Sequence, residues 1–234
     1  MKVIILGGTS GIGLGTARLA AAAGAQVTVV SGNPAKVEAA LRELPQGTEG
    51  YALDLSRESN VAEFFRSAGE FDHLVYTAAD SLTLQPLRDT DLSGARKFLE
   101  LRYWGALTAV KYAAPRLRPG GSIGLMGGIA GARPRAGWAL AASVCMAMEG
   151  LTRALAVELA PLRVNCVSAG VIRTPLWSSI PEESREAFYT ATAAQLPVGR
   201  IGEPDDIGRA FVYLMGQTFA TGQVLVVDGG AVLV

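Results

Sequence analysis

The chain has 234 residues, half of them hydrophobic, and its 21 lysines and arginines balance 21 aspartates and glutamates. This length suits one α/β domain with a large core. The absence of net charge argues against nucleic acid or an anionic membrane as a partner, because both require a basic surface.

Three further features of composition narrow the class of protein. The sequence contains no run of about 18 uncharged apolar residues, so no membrane span is predicted. The opening residues, MKVIILGG, lack the apolar region of a signal peptide. Cys145 and Cys166 lie in apolar stretches, which is typical of a buried, reduced pair and favours a cytoplasmic location. With His73 as the single histidine, no metal site is expected.

Apolar β-type stretches alternate with helical patterns along the chain, which is typical of βαβ units. The predicted strands are residues 3–6, 26–30, 48–53, 73–76, 122–126, 163–168 and 223–227. The predicted helices are residues 13–23, 34–44, 61–68, 93–117, 138–158, 182–194 and 204–215. The pattern predicts one α/β domain over residues 1–234, a doubly wound seven-stranded parallel sheet with its site at the carboxyl ends of the strands.

A glycine-rich loop, GGTSGIG, follows the first predicted strand and precedes the first helix. Its glycines allow a tight turn and a close approach of the backbone to a pyrophosphate, and the helix amino terminus favours phosphate. The alternative is a purely structural glycine turn, but the strand-loop-helix context favours a nucleotide site. The predicted contact residues in this loop are Gly7, Thr9, Ser10, Gly11, Ile12 and Gly13.

The end of the second strand bears on the choice of cofactor. An NAD-preferring site usually carries an acid there to bind the ribose 2′-hydroxyl, whereas this chain has Ser31, followed by Gly32 and Asn33. Ser31, Asn33 and Lys36 are candidates for a 2′-phosphate, although Asn33 before a proline is also a good helix cap. We therefore expect NADP(H) to be preferred over NAD(H).

Several motifs occur in one order along the chain. They are the glycine loop, Asn165 to Gly170 (NCVSAG), the VDGG ending, and the segment GGSIGLMGGIAGARPRAGWALAASVCMAMEGLTRALAVELAP at residues 120–161. Together they resemble the short-chain dehydrogenase/reductase family over nearly the whole chain, with Leu6 and Ala169 replacing a Thr and a Pro of the family motifs. The resemblance implies a Rossmann fold and a bound dinucleotide. It adds these cofactor-binding residues: Asp54, Leu55, Thr77, Ala78, Ala79, Gly170, Ile172 and Thr174.

The residues that carry the family's chemistry are replaced. The family places a Ser, a Tyr thirteen residues later and a Lys four residues after the Tyr, and this chain has Gly128, Ala141 and Cys145 there. A shift of one residue in the comparison does not restore the motif. Arg102 stands where the family has an Asn in the preceding long helix. A subgroup of the family shares this Arg and lacks the usual tetrad, and the chain resembles that subgroup.

Arg102 and Asp80 are the candidate catalytic residues. An arginine is a poor proton donor, but it can hold a carboxylate or stabilise negative charge forming on oxygen. The alternative for Arg102 is an ion pair with Glu100 or Asp80. Asp80, directly after the fourth strand, would serve as a general acid if burial raised its pKa. A loop-capping aspartate is the alternative.

The expected substrate pocket lies beyond these residues. Arg133 and Arg135 flank a proline in the loop that should rim the pocket, which indicates an anionic or carbonyl-rich substrate or simply a solvated loop. The segment 175–197 resembles the family's substrate lid, and its aromatic residues would cover an apolar or ring-bearing substrate. The predicted substrate contacts are Arg135, Trp138 and Trp177.

Three functions remain open at this point. The first is a reductase that needs no tyrosine proton, acting on an imine or iminium ion, an enone or a carbonyl compound. The second is a dinucleotide-binding sensor or partner protein without turnover, and the third is an enzyme that performs non-redox chemistry in the same pocket. The helices at residues 93–117 and 138–158 correspond to the family's dimer-forming helices, so a homodimer or homotetramer is expected.

Overall fold

A computed structural model describes residues 1–82 and 84–234. Its seven strands form one parallel sheet in the order β3-β2-β1-β4-β5-β6-β7. The strands are β1 (Lys2–Leu6), β2 (Gln26–Ser31), β3 (Glu49–Ala52), β4 (Phe71–Tyr76), β5 (Leu117–Gly128), β6 (Arg163–Ala169) and β7 (Val224–Val227). The strand order reverses between β1 and β4, so a crevice opens there at the carboxyl ends of the strands. The predicted fold is confirmed.

Helices cover both faces of the sheet. They are α1 (Gly11–Ala22), α2 (Pro34–Glu43), α3 (Glu58–Ser67), α4 (Leu92–Leu99), α5 (Gly105–Ala113), α6 (Ala139–Glu158), α7 (Glu182–Ala193) and α8 (Pro204–Gly216). Successive side chains of a strand point to opposite faces. In β1, Ile4 and Leu6 accordingly pack with residues of α3, α5 and α6, whereas Val3 and Ile5 pack with residues of α1, α2 and α8.

The prediction of one continuous helix over residues 93–117 was wrong. A π-helical segment, Glu100–Trp104, separates α4 from α5, and β5 begins at Leu117. The Tyr76 hydroxyl stabilises this wider turn, because it donates a hydrogen bond of 2.5 Å to the carbonyl oxygen of Leu101. Gly105 makes this approach possible, since a Cβ at that position would overlap the Tyr76 hydroxyl oxygen.

Helix α6 is long and apolar enough to cross a membrane by length and composition, and 33% of its most apolar window is buried within the protein. It packs against β5 and β6. Its Glu149 and Arg153 form an ion pair of 3.2 Å one turn apart. The sheet-facing side of α6 therefore belongs to the core, while Met146 and Val157 on the helix remain exposed.

Candidate functional site

A cavity of about 1070 Å³ opens at the carboxyl ends of the strands. Every residue that the sequence assigns to the cofactor lines it. These residues are Gly7, Thr9, Ser10, Gly11, Ile12, Gly13, Ser31, Asn33, Asp54, Leu55, Thr77, Ala78, Ala79, Gly170, Ile172 and Thr174. The catalytic and substrate candidates line the same cavity, namely Arg102, Asp80, Arg135, Trp138 and Trp177. The fold thus brings all of these positions together.

The glycine loop is packed tightly against the end of β4. Gly7 has a φ of +88°, and a Cβ at this position would lie 2.5 Å from the backbone nitrogen of Ala78. A Cβ at Gly13 would overlap the carbonyl oxygen of Gly7. Helix α1 begins at Gly11 without a side-chain cap, so the N–H groups of its first turn are left for a ligand. This cradle fits the pyrophosphate of a dinucleotide.

The opposite end of the cavity carries the groups expected at the adenosine. Asn33 accepts a hydrogen bond of 3.2 Å from the backbone nitrogen of Lys36 and caps α2. Ser31 accepts a bond of 3.3 Å from the backbone nitrogen of Asn33. The Lys36 side chain lines the cavity and makes no ion pair within residues 1–82 and 84–234. The end of β2 therefore presents a hydroxyl, with a cation on the first turn of the next helix.

Asp54 is already engaged by its own loop. The backbone nitrogen and the hydroxyl of Ser56 donate to one carboxylate oxygen at 3.0 and 2.6 Å. These bonds, the Ser56 hydroxyl first, lower the pKa of Asp54. The carboxylate therefore stays ionised and fixes the loop where an adenine would lie.

Arg102 projects from the π-helical segment into the cavity. Its Nη2 donates to the carbonyl oxygen of Asp80, and the guanidinium lies over the Phe98 ring, 4.4 Å from the centroid. Burial lowers its pKa from the ordinary value. The ion pair with Glu100 or Asp80, considered from the sequence, does not occur in the described part of the chain, where Arg102 belongs to no salt bridge.

The structure does not support Asp80 as a general acid. That role requires a buried carboxyl group, and Asp80 is an exposed residue. Its backbone carbonyl, rather than its side chain, contacts Arg102. Asp80 thus positions the arginine.

The places of the family's Ser, Tyr and Lys form a small apolar corner of the cavity. Cys145 fills part of the space beside Gly128, since a Cβ on Gly128 would lie 3.1 Å from its sulfur. Ala141, one turn earlier on α6, is buried. Burial raises the pKa of the Cys145 thiol to about 11, so at neutral pH it is neither a charged group nor a ready proton donor.

Aromatic side chains close the far side of the cavity. Trp177 is buried and donates from Nε1 to the carbonyl oxygen of Ile172 at 3.0 Å. The rings of Trp138 and Trp177 are 6.5 Å apart, and the Arg135 guanidinium lies 5.7 Å from the centre of the Trp138 ring. The predicted substrate residues are therefore neighbours.

The predicted lid consists of a short 3₁₀ turn, Pro175–Trp177, followed by α7. Arg173 ties α7 to the loop after β6. It pairs with Glu186 at 2.6 Å and lies over the Tyr189 ring at 4.6 Å from the centroid. The segment is packed over the cavity rather than loosely attached.

Some residues that line the cavity were not predicted from the sequence. Phe98 lies four residues before Arg102, a spacing that brings side chains onto one face of a helix and could have revealed the pair. Leu82 and Leu176 enlarge the apolar wall. Ala231 and Val234 also line the cavity. They follow the VDGG motif and belong to no motif themselves.

Comparison with known proteins gives one consistent class. The model of the Enoyl-(Acyl carrier protein) reductase family matches residues 7–232. The chain is 32% identical to the short-chain dehydrogenase/reductase malC of Malbranchea aurantiaca over 249 residues, which cover 99% of this chain and 94% of that protein. It is 36% identical to the L-fucose dehydrogenase of Bos taurus over 242 residues, which cover 99% of this chain and 89% of that protein.

Solved structures agree with the sequence relatives. A small-chain dehydrogenase in complex with NADPH superposes with a TM-score of 0.89 at 34% identity, covering 100% of this chain and 99% of that chain. The MalC reductase/Diels-Alderase from Malbranchea aurantiaca superposes with a TM-score of 0.90 at 30% identity, covering 99% of this chain and 96% of that chain.

Proposed function

The chain belongs to the short-chain dehydrogenase/reductase family, and from that premise we propose that it is an NADP(H)-dependent oxidoreductase. The proposed reaction is hydride transfer to or from a small organic substrate, an imine or iminium ion, an enone or a carbonyl compound, without a tyrosine proton donor. The observation that carries the proposal is one cavity that joins the glycine cradle to an apolar corner containing Arg102.

The bound dinucleotide would supply the hydride. The residues of this chain would hold and orient it: the first turn of α1 would meet the pyrophosphate, and Gly170 to Thr174 would contact the nicotinamide end. A neighbour with NADPH bound supports the assignment of the cofactor. The preference for NADP(H) is supported by Ser31 and the nearby Lys36, which leave no carboxylate to repel a 2′-phosphate.

The test is a titration of the purified protein with NADPH and NADH, followed by nicotinamide fluorescence and by loss of absorbance on addition of imines, enones and ketones. Tighter binding of NADPH and oxidation of the nicotinamide with one substrate class would support the proposal. Binding without turnover would favour a sensor, and no binding of either dinucleotide would contradict the proposal.

A non-redox reaction in the same cavity is the second candidate. It is favoured by the solved MalC protein, which is named both a reductase and a Diels-Alderase, and by the aromatic and aliphatic wall of the cavity here. A reaction that proceeds at the same rate without nicotinamide oxidation would support it.

We also propose that the chain forms a cytoplasmic homodimer or homotetramer. Trp104 and Leu92 on the α4–α5 side and Met146 and Val157 on α6 are apolar and exposed. Exposed apolar side chains on these helices are available to be buried at an interface between subunits. Light scattering should give a multiple of the 24.4 kDa chain mass. A single 24.4 kDa species would contradict the proposal.

A further inference from the structure

The inner face of α7, the helix of the lid, carries a buried threonine. Thr192 is 9% exposed and lines the cavity. Tyr189 and Leu196, three residues before it and four after it, are the buried residues on the same side of the helix. The wall around them is built from aromatic and aliphatic side chains, among them Trp177 and Phe188. Thr192 therefore places a small hydroxyl in a largely apolar wall.

The Thr192 hydroxyl has no partner in the described part of the protein. The other buried helical threonines, Thr16 and Thr152, donate to the carbonyl oxygen one turn earlier at 2.8 Å. Thr192 makes no such bond to Phe188, and its hydroxyl takes part in no hydrogen bond within residues 1–82 and 84–234. Its oxygen is not sealed from solvent. The free side of the hydroxyl therefore opens to the cavity.

Whatever fills the cavity must supply the hydrogen bond of this hydroxyl. Water can do so in the unliganded protein. A ligand that displaced this water without replacing its bond would leave a buried hydroxyl unpaired, which is unfavourable. A ligand that fits this wall therefore has a polar atom opposite Thr192.

Contacts on both sides of Thr192 fix where α7 lies. One turn earlier, the Tyr189 ring packs against the Arg173 guanidinium, with 4.6 Å between the guanidinium carbon and the ring centroid. One turn later, Leu196 lies beside Gly229, since a Cβ on this glycine would be 3.5 Å from the Leu196 Cδ1. Both contacts are made with segments at the carboxyl ends of β6 and β7.

The loop between β6 and the lid lies across from Thr192. At its start, a Cβ on Gly170 would lie 2.8 Å from the Cα of Asp228, which follows β7. At its end, Thr174 meets the first residue of α1, because a Cβ on Gly11 would lie 3.2 Å from the Thr174 side chain. This loop is the segment assigned above to the nicotinamide end of the cofactor, and it adjoins the pyrophosphate cradle. Thr192 is therefore placed over that end of the cavity.

We propose that the Thr192 hydroxyl forms a hydrogen bond with the nicotinamide mononucleotide half of the dinucleotide and so holds α7 over the bound cofactor. This inference rests on the proposed function and adds a contact from the lid to those of the glycine loop. The nicotinamide half offers ribose hydroxyls, phosphate oxygens and a carboxamide, and a threonine hydroxyl can both donate and accept. The adenosine half would lie at the other end of the cavity, near Ser31 and Asn33, and should not depend on Thr192.

The first test is a titration with NADPH and with 2′,5′-ADP, which has the adenosine half but no nicotinamide. Thr192→Val should weaken NADPH binding roughly three- to tenfold, the loss expected for one hydrogen bond, and leave the affinity for 2′,5′-ADP unchanged. Thr192→Ser keeps a hydroxyl and should bind NADPH nearly as tightly as the wild type. Thr190→Val makes the same change on the exposed side of α7, outside the cavity, and should affect neither ligand.

The melting temperature without ligand separates a contact with the cofactor from a structural role. Thr192→Val removes no hydrogen bond within the described part of the protein, so its melting temperature should be no lower than that of the wild type. A lower melting temperature together with equally weakened binding of NADPH and 2′,5′-ADP would assign Thr192 a structural role and overturn the inference.

Hydrogen exchange of the α7 amides measures directly whether the cofactor holds the lid. At saturating concentration, NADPH should slow exchange over Glu182–Ala193 in the wild type and in Thr192→Ser, and slow it less in Thr192→Val. Because each protein is saturated, differences in affinity do not enter the comparison. 2′,5′-ADP should not slow the exchange of α7 in any of the three proteins.

The outcomes distinguish this inference from the proposed function. If the wild type binds no NADPH, both are overturned. If the wild type binds NADPH and Thr192→Val binds it as tightly, with the same exchange of α7, the contact is overturned while the proposed function survives. The hydroxyl would then face the substrate or water. Weaker NADPH binding with unaltered exchange would support the contact and overturn the holding of α7.

Discussion

At Gly13 the steric constraint comes from the protein. The sequence motif explains its glycines by the approach of a phosphate, yet a Cβ at Gly13 would overlap the Gly7 carbonyl oxygen and lie 2.6 Å from the Thr77 hydroxyl oxygen. The glycine loop and the end of β4 therefore meet at this residue. Gly32 differs, because a Cβ there would have only the carbonyl oxygen of Leu53 within reach, at 3.7 Å.

We expect Gly13→Ala to destabilise the protein by about 1–3 kcal/mol through overpacking, and Gly32→Ala to leave the stability nearly unchanged. Thermal denaturation of both variants without ligand would measure this. Equal melting temperatures for the two variants would show that the loop can yield at Gly13.

We expect Ser31 to control the proposed cofactor preference. In Ser31→Asp, a carboxylate at the end of β2 would accept hydrogen bonds from the ribose hydroxyls of NADH and repel the 2′-phosphate of NADPH. We expect the ratio of the two dissociation constants to change by roughly tenfold or more in favour of NADH. Ser31→Ala is the matched control and should change the ratio little. An unchanged ratio in Ser31→Asp would place the 2′-position elsewhere.

At the scale of elements, the strands could be predicted and the long helix could not. The buried parallel strand β1 is an apolar run after its first residue, and sequence patterns detect such runs well. The π-helical segment Glu100–Trp104 arises from a contact distant in sequence, between the Tyr76 hydroxyl and the carbonyl oxygen of Leu101. The helical periodicity of the sequence does not reveal that contact. As a result the sequence identified Arg102 but not the turn that presents it.

Tyr76→Phe should therefore disturb the site although Tyr76 is not among the residues that line the cavity. The variant leaves the Leu101 carbonyl without its hydroxyl donor, at a cost of about 1–3 kcal/mol. We expect lower thermal stability, because the hydroxyl bond supports the turn that carries Arg102. Tyr112→Phe, which removes a hydroxyl bonded to the exposed Glu58, should cost less than about 0.5 kcal/mol. An unaltered melting temperature in Tyr76→Phe would mean that the turn is stable without the hydroxyl.

For the whole molecule, His73 makes stability depend on pH. It is buried in β4, its Nδ1 lies 2.8 Å from the Ser122 hydroxyl, and burial followed by the charge of Arg163 lowers its pKa from 6.5 to about 4. As pH falls below 6.5 the unfolded chain binds a proton that the folded chain does not. The stabilisation that depends on a neutral His73 is therefore complete above pH 6.5 and is lost progressively toward pH 4. The loss is at most about 1.4 kcal/mol per pH unit.

Since His73 is the chain's single histidine, His73→Asn removes the imidazole titration entirely. Denaturant unfolding between pH 4 and pH 7 should show a smaller pH dependence of the unfolding free energy in the variant than in the wild type. Identical slopes for the two proteins would assign the pH dependence to the carboxylates.

Residues from both ends of the chain line the cavity, among them Gly7 and Ala231. A ligand held there is lost when either end of the domain opens, so its binding opposes local opening at both ends as well as global unfolding. At a hundredfold excess over its dissociation constant, such a ligand adds about 2.7 kcal/mol to stability. Proteases attack the open forms of a protein. In a cell, the lifetime of this protein would accordingly follow the supply of its dinucleotide, and starvation for that molecule would deplete the protein as well as its activity.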